Sequence, residues 1–253
     1  VPLAPTGIPC EEPATLDVYE QLLAKAGWKS RAPQQEMLRR VTQHFAAGSQ
    51  GMLEASTGTG KTLAYLLPAL VEARSGGQQV IVSTSTKALQ DQLVRDLREL
   101  LEPYLPFNFR YTLLKGQENY LCLSRLWMAY QEVFLAEVQE GVTFEEKLCL
   151  LYLLRFAQET RDGDLQNTSY WLQNRFPVLG YLKTQVTSQR ESCGSACNYR
   201  TFCFYPRAQS LSEHANLLII NHTLLMTKAW AEERTFNLVL DEAHNLEEAA
   251  TNS

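Results

Sequence analysis

The segment Ala55-Ser56-Thr57-Gly58-Thr59-Gly60-Lys61-Thr62 decides the fold class of this chain. It has the spacing of a phosphate-binding loop, with Ala55 in place of the usual first glycine. Gly58 and Gly60 let backbone N–H groups close around phosphates, and a helix that begins near Lys61 directs its positive end toward them. Lys61 would neutralise the β- and γ-phosphates, and the Thr62 hydroxyl would bind Mg²⁺. The alternative is a glycine- and threonine-rich turn that only caps an ordinary helix.

Helix and strand patterns alternate on both sides of this loop. Pro33 opens a predicted helix upstream, residues 51–55 are a strand candidate, and Pro68 should kink or shorten the helix that follows the loop. Thr86 is expected to cap a further helix. Runs of aliphatic residues predict more strands, at 80–82, 217–220 and 236–240. The alternation predicts an α/β fold with a mainly parallel sheet flanked by helices.

The alternation stops between residues 106 and 209, a stretch that is mostly helical in pattern at first and rich in turns and cysteines afterwards. We expect this stretch to be an insertion. The predicted organisation is therefore an N-terminal arm and helix at 1–28, an α/β domain in two parts at 29–105 and 210–253, and an insertion at 106–209.

A second motif, Asp241-Glu242-Ala243-His244, directly follows the last predicted strand. Ligands of α/β proteins bind at the carboxyl ends of strands, so both carboxylates are expected beside the loop. Asp241 would hold Mg²⁺, and Glu242 would orient and deprotonate an attacking water. By itself the motif is also compatible with an acid-rich helix N-terminus. The loop and the carboxylates together indicate an ATP site with Lys61, Asp241 and Glu242 as its catalytic residues.

Four of the six cysteines form a candidate metal site: Cys193, Cys197 and Cys203 lie close together, and Cys122 lies far upstream. Four thiolates suit either Zn²⁺ or an iron-sulfur cluster, and spacing does not separate the two. The alternative is a set of unrelated cysteines in a loop. Cys149 lies in an apolar run and is expected to be a buried core thiol, and Cys10 is given no role.

The formal net charge of −5 argues against a uniformly basic nucleic-acid binder, so any DNA surface has to be local. Residues 179–207 are such a surface candidate, because they contain four basic residues against Glu191 alone, interleaved with aromatic residues: Lys183, Arg190, Arg200, Arg207, Tyr199, Phe202, Phe204 and Tyr205. We expect most of these rings to form a small core. Arg200 and Lys183 are the preferred candidates for DNA contacts.

No apolar run in the sequence is long enough to cross a bilayer, and the first residues lack the charged and apolar regions of a secretory signal. We therefore expect a cytoplasmic protein without membrane contact, associated with the nucleoid if it is bacterial.

These motifs resemble those of superfamily-2 helicases, whose loop often begins with alanine and whose Mg²⁺ motif can read Asp-Glu-Ala-His. Arg31-Ala32-Pro33-Gln34 is similar to the adenine-side motif of that superfamily, which implies that Gln34 contacts the base. Ser83-Thr84-Ser85-Thr86 and the following residues 88–93 look like its motif Ia, which contacts the backbone of single-stranded DNA. Hydroxyl groups at a strand end are equally good helix caps.

Two further segments resemble iron-sulfur helicases of the DinG/XPD family, in particular bacterial DinG/YoaA-like members. Leu114-Lys115-Gly116-Gln117-Glu118-Asn119-Tyr120-Leu121-Cys122 looks like the segment that carries their first cluster ligand, and Asn221-His222-Thr223-Leu224-Leu225 looks like the segment ahead of their DEAH box. The gap between Cys193 and Cys197 is narrower than we expect for that family. The resemblance implies that Cys122, Cys193, Cys197 and Cys203 hold a [4Fe-4S] cluster.

The resemblance as a whole implies the first RecA-like motor domain of an ATP-dependent DNA helicase with an iron-sulfur insertion. Such a protein would bind ATP, Mg²⁺ and single-stranded or forked DNA, and would act in DNA repair or replication. We expect a monomeric N-terminal fragment that binds nucleotide but hydrolyses it poorly, with a second RecA-like domain in the full-length chain. The alternatives are a zinc-stabilised, ATP-dependent nucleic-acid-binding switch and an RNA helicase.

Overall fold

The computed structural model describes residues 3, 5–76, 78–135, 141–190, 193–194, 196–227 and 235–251. Glu191, which was counted in the basic segment, lies outside these residues, as do Ser192, which precedes Cys193, and Ser195, which lies between Cys193 and Cys197. The chain divides into two compact units. We call the unit formed by Val1–Leu114 and Ser212–Ser253 the sheet unit, and the unit formed by Lys115–Leu211 the inserted unit.

The sheet unit is built around four parallel strands in the order β2-β3-β1-β4. In chain order they are β1 Gln79–Thr84, β2 Tyr111–Leu113, β3 Leu217–Asn221 and β4 Phe236–Leu240. The aliphatic side chains of β1 and β3 are completely buried, as expected for central strands covered on both faces. The predicted parallel α/β sheet and three of its predicted strands are therefore confirmed.

The helices of the sheet unit begin and end at residues with clear local signals. They are α1 Glu12–Ala26, α2 Ala32–Ala47, α3 Lys61–Arg74, α4 Lys87–Asp96 with a π-helical turn at Leu97–Leu101, α10 His222–Met226 and α11 Leu246–Thr251. Pro33 lies in the first turn of α2, and Thr86 caps α4 by accepting a hydrogen bond from the Leu89 amide at 3.2 Å, so both predictions are confirmed.

The strand expected at residues 51–55 and the shortening of the helix expected at Pro68 are both absent from the structure. Residues 51–55 form no strand, and Met52 is 95% exposed, because none of the described strands lies beside them to satisfy their backbone groups. Pro68 does not shorten α3, which continues to Arg74. Leu66, Leu67 and Leu70 are fully buried, so packing outweighs the one backbone hydrogen bond that proline removes.

Two stretches that the sequence analysis separated from the α/β domain lie within the sheet unit. Val18, Tyr19 and Leu22 of α1 belong to the same hydrophobic core as α3 and the central strands. Strand β2, which falls in the predicted insertion, pairs with β3 from Tyr111↔Leu217 to Leu113↔Ile219. A three-residue strand is too short for hydrophobic alternation to reveal it.

The inserted unit is mostly helical and has a core of its own. Its helices are α5 Leu123–Tyr130 with a π-helical turn at Gln131–Leu135, α6 Phe144–Glu159, α7 Tyr170–Arg175 and α8 Val178–Gln185, and α9 Phe204–Glu213 begins in this unit. Cys149 is fully buried in the core beside Leu150 and Leu153, which confirms it as a core thiol. Within the described parts of the chain, no helix is both long and apolar enough to span a membrane.

The packing of α1 gives a direct test of the sheet unit. Leu22→Ala removes a fully buried side chain and should lower the free energy of unfolding by about 2–5 kcal/mol. Glu20→Ala, on the exposed face of the same helix, should change it by less than about 0.5 kcal/mol. Urea unfolding of both variants followed by circular dichroism measures the difference. Equal effects would show that α1 is not part of the core.

Candidate functional site

The predicted phosphate-binding loop joins residue 54 to α3 and turns at two left-handed glycines. Gly58 has φ 78° and Gly60 has φ 81°, a conformation that side-chain-bearing residues rarely adopt. A Cβ atom at Gly60 would lie 2.1 Å from Nε2 of Gln34. The hydroxyl of Thr59 donates to the Ser56 carbonyl at 2.8 Å and closes the turn. The glycines are therefore required by backbone conformation and, at Gly60, by close packing.

Side chains at the start of α2 donate hydrogen bonds to two carbonyl groups of the loop. Arg31 donates from Nη1 to the Gly58 carbonyl at 3.0 Å, and Gln34 donates from Nε2 to the Gly60 carbonyl at 3.0 Å. The hydroxyl of Tyr19 in α1 donates to Oε1 of Gln34 at 2.9 Å. Gln34, the predicted base contact, is thus buried and braces the loop. Sequence reasoning gave Arg31 and Tyr19 no such role.

The first turn of α3 keeps its backbone donors available. Gly60 is the N-cap residue and supplies no side-chain hydrogen bond, and the first helical bond runs from the Ala64 amide to the Gly60 carbonyl at 3.2 Å. Uncapped N–H groups at a helix N-terminus attract anions because they carry the positive end of the helix dipole. This end of α3 can therefore receive phosphate oxygens.

The acidic motif lies next to the loop because β4 pairs with β1. The Asp241 amide extends this pairing by donating to the Ser83 carbonyl at 2.8 Å. Nζ of Lys61 is 3.6 Å from Oε1 of Glu242, and each side chain is about one third exposed. The structure thus brings together the lysine of the loop and the two carboxylates that the sequence separates by 180 residues or so.

Asp241 faces α3 as well as the loop. Its Oδ2 atom accepts a hydrogen bond from the hydroxyl of Tyr65 at 3.1 Å. Burial raises the pKa of Asp241, whereas the Tyr65 hydrogen bond and the nearby Lys61 charge act in the opposite direction. Sequence reasoning missed Tyr65. Its position one turn after Lys61 on the same helix was a usable signal.

Glu242 has the only left-handed backbone conformation of a non-glycine residue in the described parts of the chain, with φ 53°. Such a conformation costs on the order of 1–3 kcal/mol and is found at functional sites more often than elsewhere. One carboxylate oxygen of Glu242 faces Lys61, and the other lies 3.5 Å from Nδ1 of His244. The turn therefore directs the Glu242 carboxylate between two basic side chains.

His222 is a buried polar residue beside this turn. Its Nδ1 atom is 2.7 Å from the Ser83 hydroxyl, and both residues are almost fully buried. Burial lowers the pKa of His222, and the backbone of Glu242 and Asp241 acts in the opposite direction. Nε2 of His222 is buried and makes no hydrogen bond. The sequence singled out the segment containing His222 but indicated no role for its ring.

The hydroxyl groups of the motif Ia segment differ in accessibility. Ser83 and Thr84 are fully buried at the end of β1, so their side chains are not placed to contact a DNA strand. Ser85 is half-buried, and the hydroxyl of exposed Thr86 caps α4. The helix-cap role that the sequence left open is thus the one that Thr86 has in this structure.

The four predicted cysteine ligands line one small cavity in the inserted unit. The cavity is bounded by Cys122, Cys193, Cys197 and Cys203 together with Ser124, Gly194, Tyr199, Arg200 and Pro206. Cys122 is fixed at the start of α5, where its amide donates to the Val186 carbonyl at 2.8 Å. The other three lie on successive turns before and at the start of α9. The donor set is therefore of the all-thiol kind that binds zinc or iron-sulfur clusters.

The thiols of this cavity influence one another. Burial raises the pKa of the Cys203 thiol, and Cys122, Cys193 and Cys197 raise it further. In the described parts of the chain, no group of three or more His, Cys, Asp or Glu residues could hold a single metal ion. The four thiols share one cavity.

The basic segment near this cavity divides into buried and exposed groups. Phe204 is buried in the core of the inserted unit, and the Tyr205 ring packs 5.5 Å from that of Tyr120, as expected for core aromatics. Phe202 is exposed. Arg200 is exposed at the cavity, whereas Nζ of Lys183 donates to Gln173 at 3.0 Å. Arg200 is thus the more accessible of the two predicted DNA contacts.

Comparison with known proteins finds similarity to helicases. The DEAD/DEAH box helicase family profile matches residues 31–150. The chain is 35% identical over 243 residues to the ATP-dependent DNA helicase YoaA of Escherichia coli, an alignment covering 90% of this chain and 35% of that protein. It is 34% identical to the ATP-dependent helicase DinG of Mycobacterium tuberculosis, covering 95% of this chain and 38% of that protein.

Two further comparisons have lower sequence identity. The 3'-5' exonuclease DinG of Bacillus subtilis is 31% identical, over 89% of this chain and 23% of that protein. A solved structure of XPD helicase aligns with a TM-score of 0.47 at 18% identity, over 87% of this chain and 34% of that one. The chain thus spans less than two fifths of the relatives it matches. Residues 31–150 thus match the DEAD/DEAH box helicase family, and the chain is similar to the proteins named DinG and YoaA.

Proposed function

We propose that this chain is the first motor domain of an ATP-driven DNA helicase of the DinG/YoaA type. The observation that carries the proposal is the 3.6 Å approach of Lys61 in the loop to Glu242 in the acidic motif, at the carboxyl edge of a parallel sheet. A loop that only capped a helix would have no need of a carboxylate pair at this edge. This arrangement suits the binding and hydrolysis of a nucleoside triphosphate.

The residues of the loop and of α2 have separate roles in binding ATP. Backbone N–H groups of residues 55–62 and the uncapped first turn of α3 surround the phosphates. Lys61 breaks its ion pair with Glu242 and neutralises the β- and γ-phosphates instead. Gln34 keeps the loop in shape through Gly60, and it has one amide hydrogen and one carbonyl lone pair left for the adenine edge.

Hydrolysis depends on the two carboxylates. Thr62 and Asp241 would hold Mg²⁺, which supplies electrostatic stabilisation of the charge that develops on the phosphate oxygens. Once Lys61 pairs with phosphate, the Glu242 carboxylate is free to orient the attacking water and accept its proton. The raised pKa of Asp241 is countered by Tyr65 and Lys61, which favour its ionised form.

In this proposal the inserted unit holds a structural iron-sulfur cluster, as the resemblance of residues 114–122 to DinG-type helicases implies. Cys122, Cys193, Cys197 and Cys203, which line one cavity, would be its ligands. A [4Fe-4S] cluster bound there would supply cross-links among four thiolates and so order the turns around residues 193–203. Exposed Arg200 and Phe202 would then be held in place as contacts for single-stranded or forked DNA.

Translocation along DNA requires a second RecA-like domain, which we propose for the full-length protein together with a role in DNA repair or replication. Two other functions remain as competitors: a zinc-stabilised nucleic-acid-binding switch and an RNA helicase. The name of the relative YoaA, an ATP-dependent DNA helicase, favours DNA over RNA. The donor set of four cysteines favours a metal-bearing protein over an RNA helicase without such a set, and the metal assay below separates a cluster from zinc.

Lys61→Ala should abolish detectable ATP binding, because it removes the only side-chain cation of the loop. Lys25→Ala, a change to an exposed lysine of α1, should leave the dissociation constant unchanged. Titration with a fluorescent ATP analogue measures both variants. Retained affinity in Lys61→Ala would show that the loop is a helix cap and not a nucleotide site.

Glu242→Gln should separate binding from chemistry. Glutamine keeps the size of the side chain but cannot accept the proton of water, so nucleotide affinity should persist while DNA-stimulated hydrolysis by the full-length protein falls by about 10²–10⁴-fold. Phosphate release and nucleotide binding are measured on the same preparation. Hydrolysis at the normal rate would remove Glu242 from the catalytic role.

The metal content of the inserted unit is tested by visible absorbance and by iron, sulfide and zinc assays on anaerobically purified protein. We expect a broad visible band with equal amounts of iron and sulfide. Cys122→Ala should lose both, whereas Cys149→Ala, a change in the hydrophobic core, should keep them. Zinc without iron, in protein expressed with iron supplied, would favour the zinc-stabilised switch.

A further inference from the structure

Tyr65 is a buried residue of α3 that faces the proposed Mg²⁺ site. It follows Lys61 by four positions and Thr62 by three, so all three side chains lie on the same side of the helix. Tyr65 is 3% exposed, and its ring belongs to the hydrophobic core of the sheet unit. The hydroxyl group is the one polar part of this side chain. Burying it without a hydrogen bond would cost free energy, so a hydrogen-bond partner is expected.

The partner of this hydroxyl group is Asp241. The Tyr65 hydroxyl donates to Oδ2 of Asp241 at 3.1 Å, a contact between residues 176 positions apart. A phenol is ordinarily protonated at neutral pH, so Tyr65 is the donor and the Asp241 carboxylate is the acceptor. Tyr65 thus connects α3 to the acidic motif.

We propose that Tyr65 is a positioning residue that holds Asp241 in the orientation that Mg²⁺ requires. The inference rests on the proposed function, in which Asp241 and Thr62 bind the metal. Mg²⁺ demands near-ideal octahedral geometry and is usually held by only one or two protein groups. A small rotation of the Asp241 side chain would therefore weaken the metal site more than the rest of the nucleotide site.

The groups around Asp241 make the Tyr65 hydroxyl suitable for orienting the Asp241 carboxylate. Lys61, the nearest cation, is already engaged with Glu242 at 3.6 Å and is needed for phosphate. Tyr65 holds the Oδ2 atom without neutralising the carboxylate, and the Oδ1 atom stays available as a metal ligand. Groups that hydrogen-bond to metal ligands typically change metal affinity by 10–100-fold when they are removed.

The test compares wild type with Tyr65→Phe, which removes the hydroxyl and keeps the ring. A fluorescent ADP analogue is titrated into each protein with EDTA and again with Mg²⁺, and the ratio of the two dissociation constants gives the gain due to metal. We expect an unchanged affinity in EDTA and a gain due to Mg²⁺ that is smaller by about tenfold in Tyr65→Phe. The readout is binding and needs no hydrolysis.

Tyr104→Phe is the matched control, because it removes a hydroxyl from a half-buried tyrosine whose ring packs edge-on against Trp28. Its gain due to Mg²⁺ should equal that of wild type. An equal loss of affinity with and without Mg²⁺ in Tyr65→Phe would overturn the proposal, since it would indicate a general packing role. A gain due to Mg²⁺ in Tyr65→Phe that equals the wild-type gain would also overturn the proposal. In that case the proposed function would still stand, because both proteins would still bind nucleotide. A wild-type protein that binds no nucleotide would sink both.

A second measurement examines the hydrogen bond itself, independently of nucleotide. Tyr65→Phe, Asp241→Ala and the double variant are unfolded in urea without metal, and circular dichroism checks that each is folded beforehand. If the hydroxyl holds the carboxylate, the two single changes are not additive. Additive effects would show that the two groups do not interact, and the proposal would fail.

Discussion

Strand β1 pairs in parallel with β3 on one side and β4 on the other, and the geometry of the proposed nucleotide site depends on this arrangement. Because parallel strands end at the same edge of a sheet, the register Ser83↔Ile220 and Ser83↔Leu240 brings three chain segments together. The loop after residue 54 would be an ordinary turn without the carboxylates that β4 delivers. Ser83 is the meeting point, since its carbonyl binds the Asp241 amide and its hydroxyl binds His222.

The N-terminal helices contribute to the site by stiffening the loop. Tyr19 fixes Gln34, Gln34 fixes Gly60, and α1 is itself fixed because its apolar face is buried in the core of the sheet unit. Fully packed cores resist displacement, so such a chain of contacts keeps the loop close to the shape that phosphate needs before any ligand arrives. The packing of α1 therefore affects the geometry of the proposed nucleotide site, although no residue of α1 is predicted to contact the nucleotide.

Local sequence signals predicted most of the sheet unit, because strands such as 80–82 and 217–220, the proline at the start of α2 and the Thr86 cap are readable within a few residues. The loop and the acidic motif were recognisable for the same reason. The contacts of Tyr65 with Asp241 and of Ser83 with His222 span 176 and 139 positions, and no local pattern reports such distances. The strand expected at 51–55 failed because a strand requires a neighbour, which its own residues do not specify.

Strand β4 ends the row of described strands, with β1 on one side only. Leu238 in its middle is 40% exposed, so this border of the sheet combines apolar side chains with backbone groups oriented for pairing. An edge of this kind accepts a strand from another molecule as readily as one from its own chain. A further strand that paired with β4 would therefore lie beside the segment that leads into Asp241 and Glu242, the two proposed catalytic carboxylates.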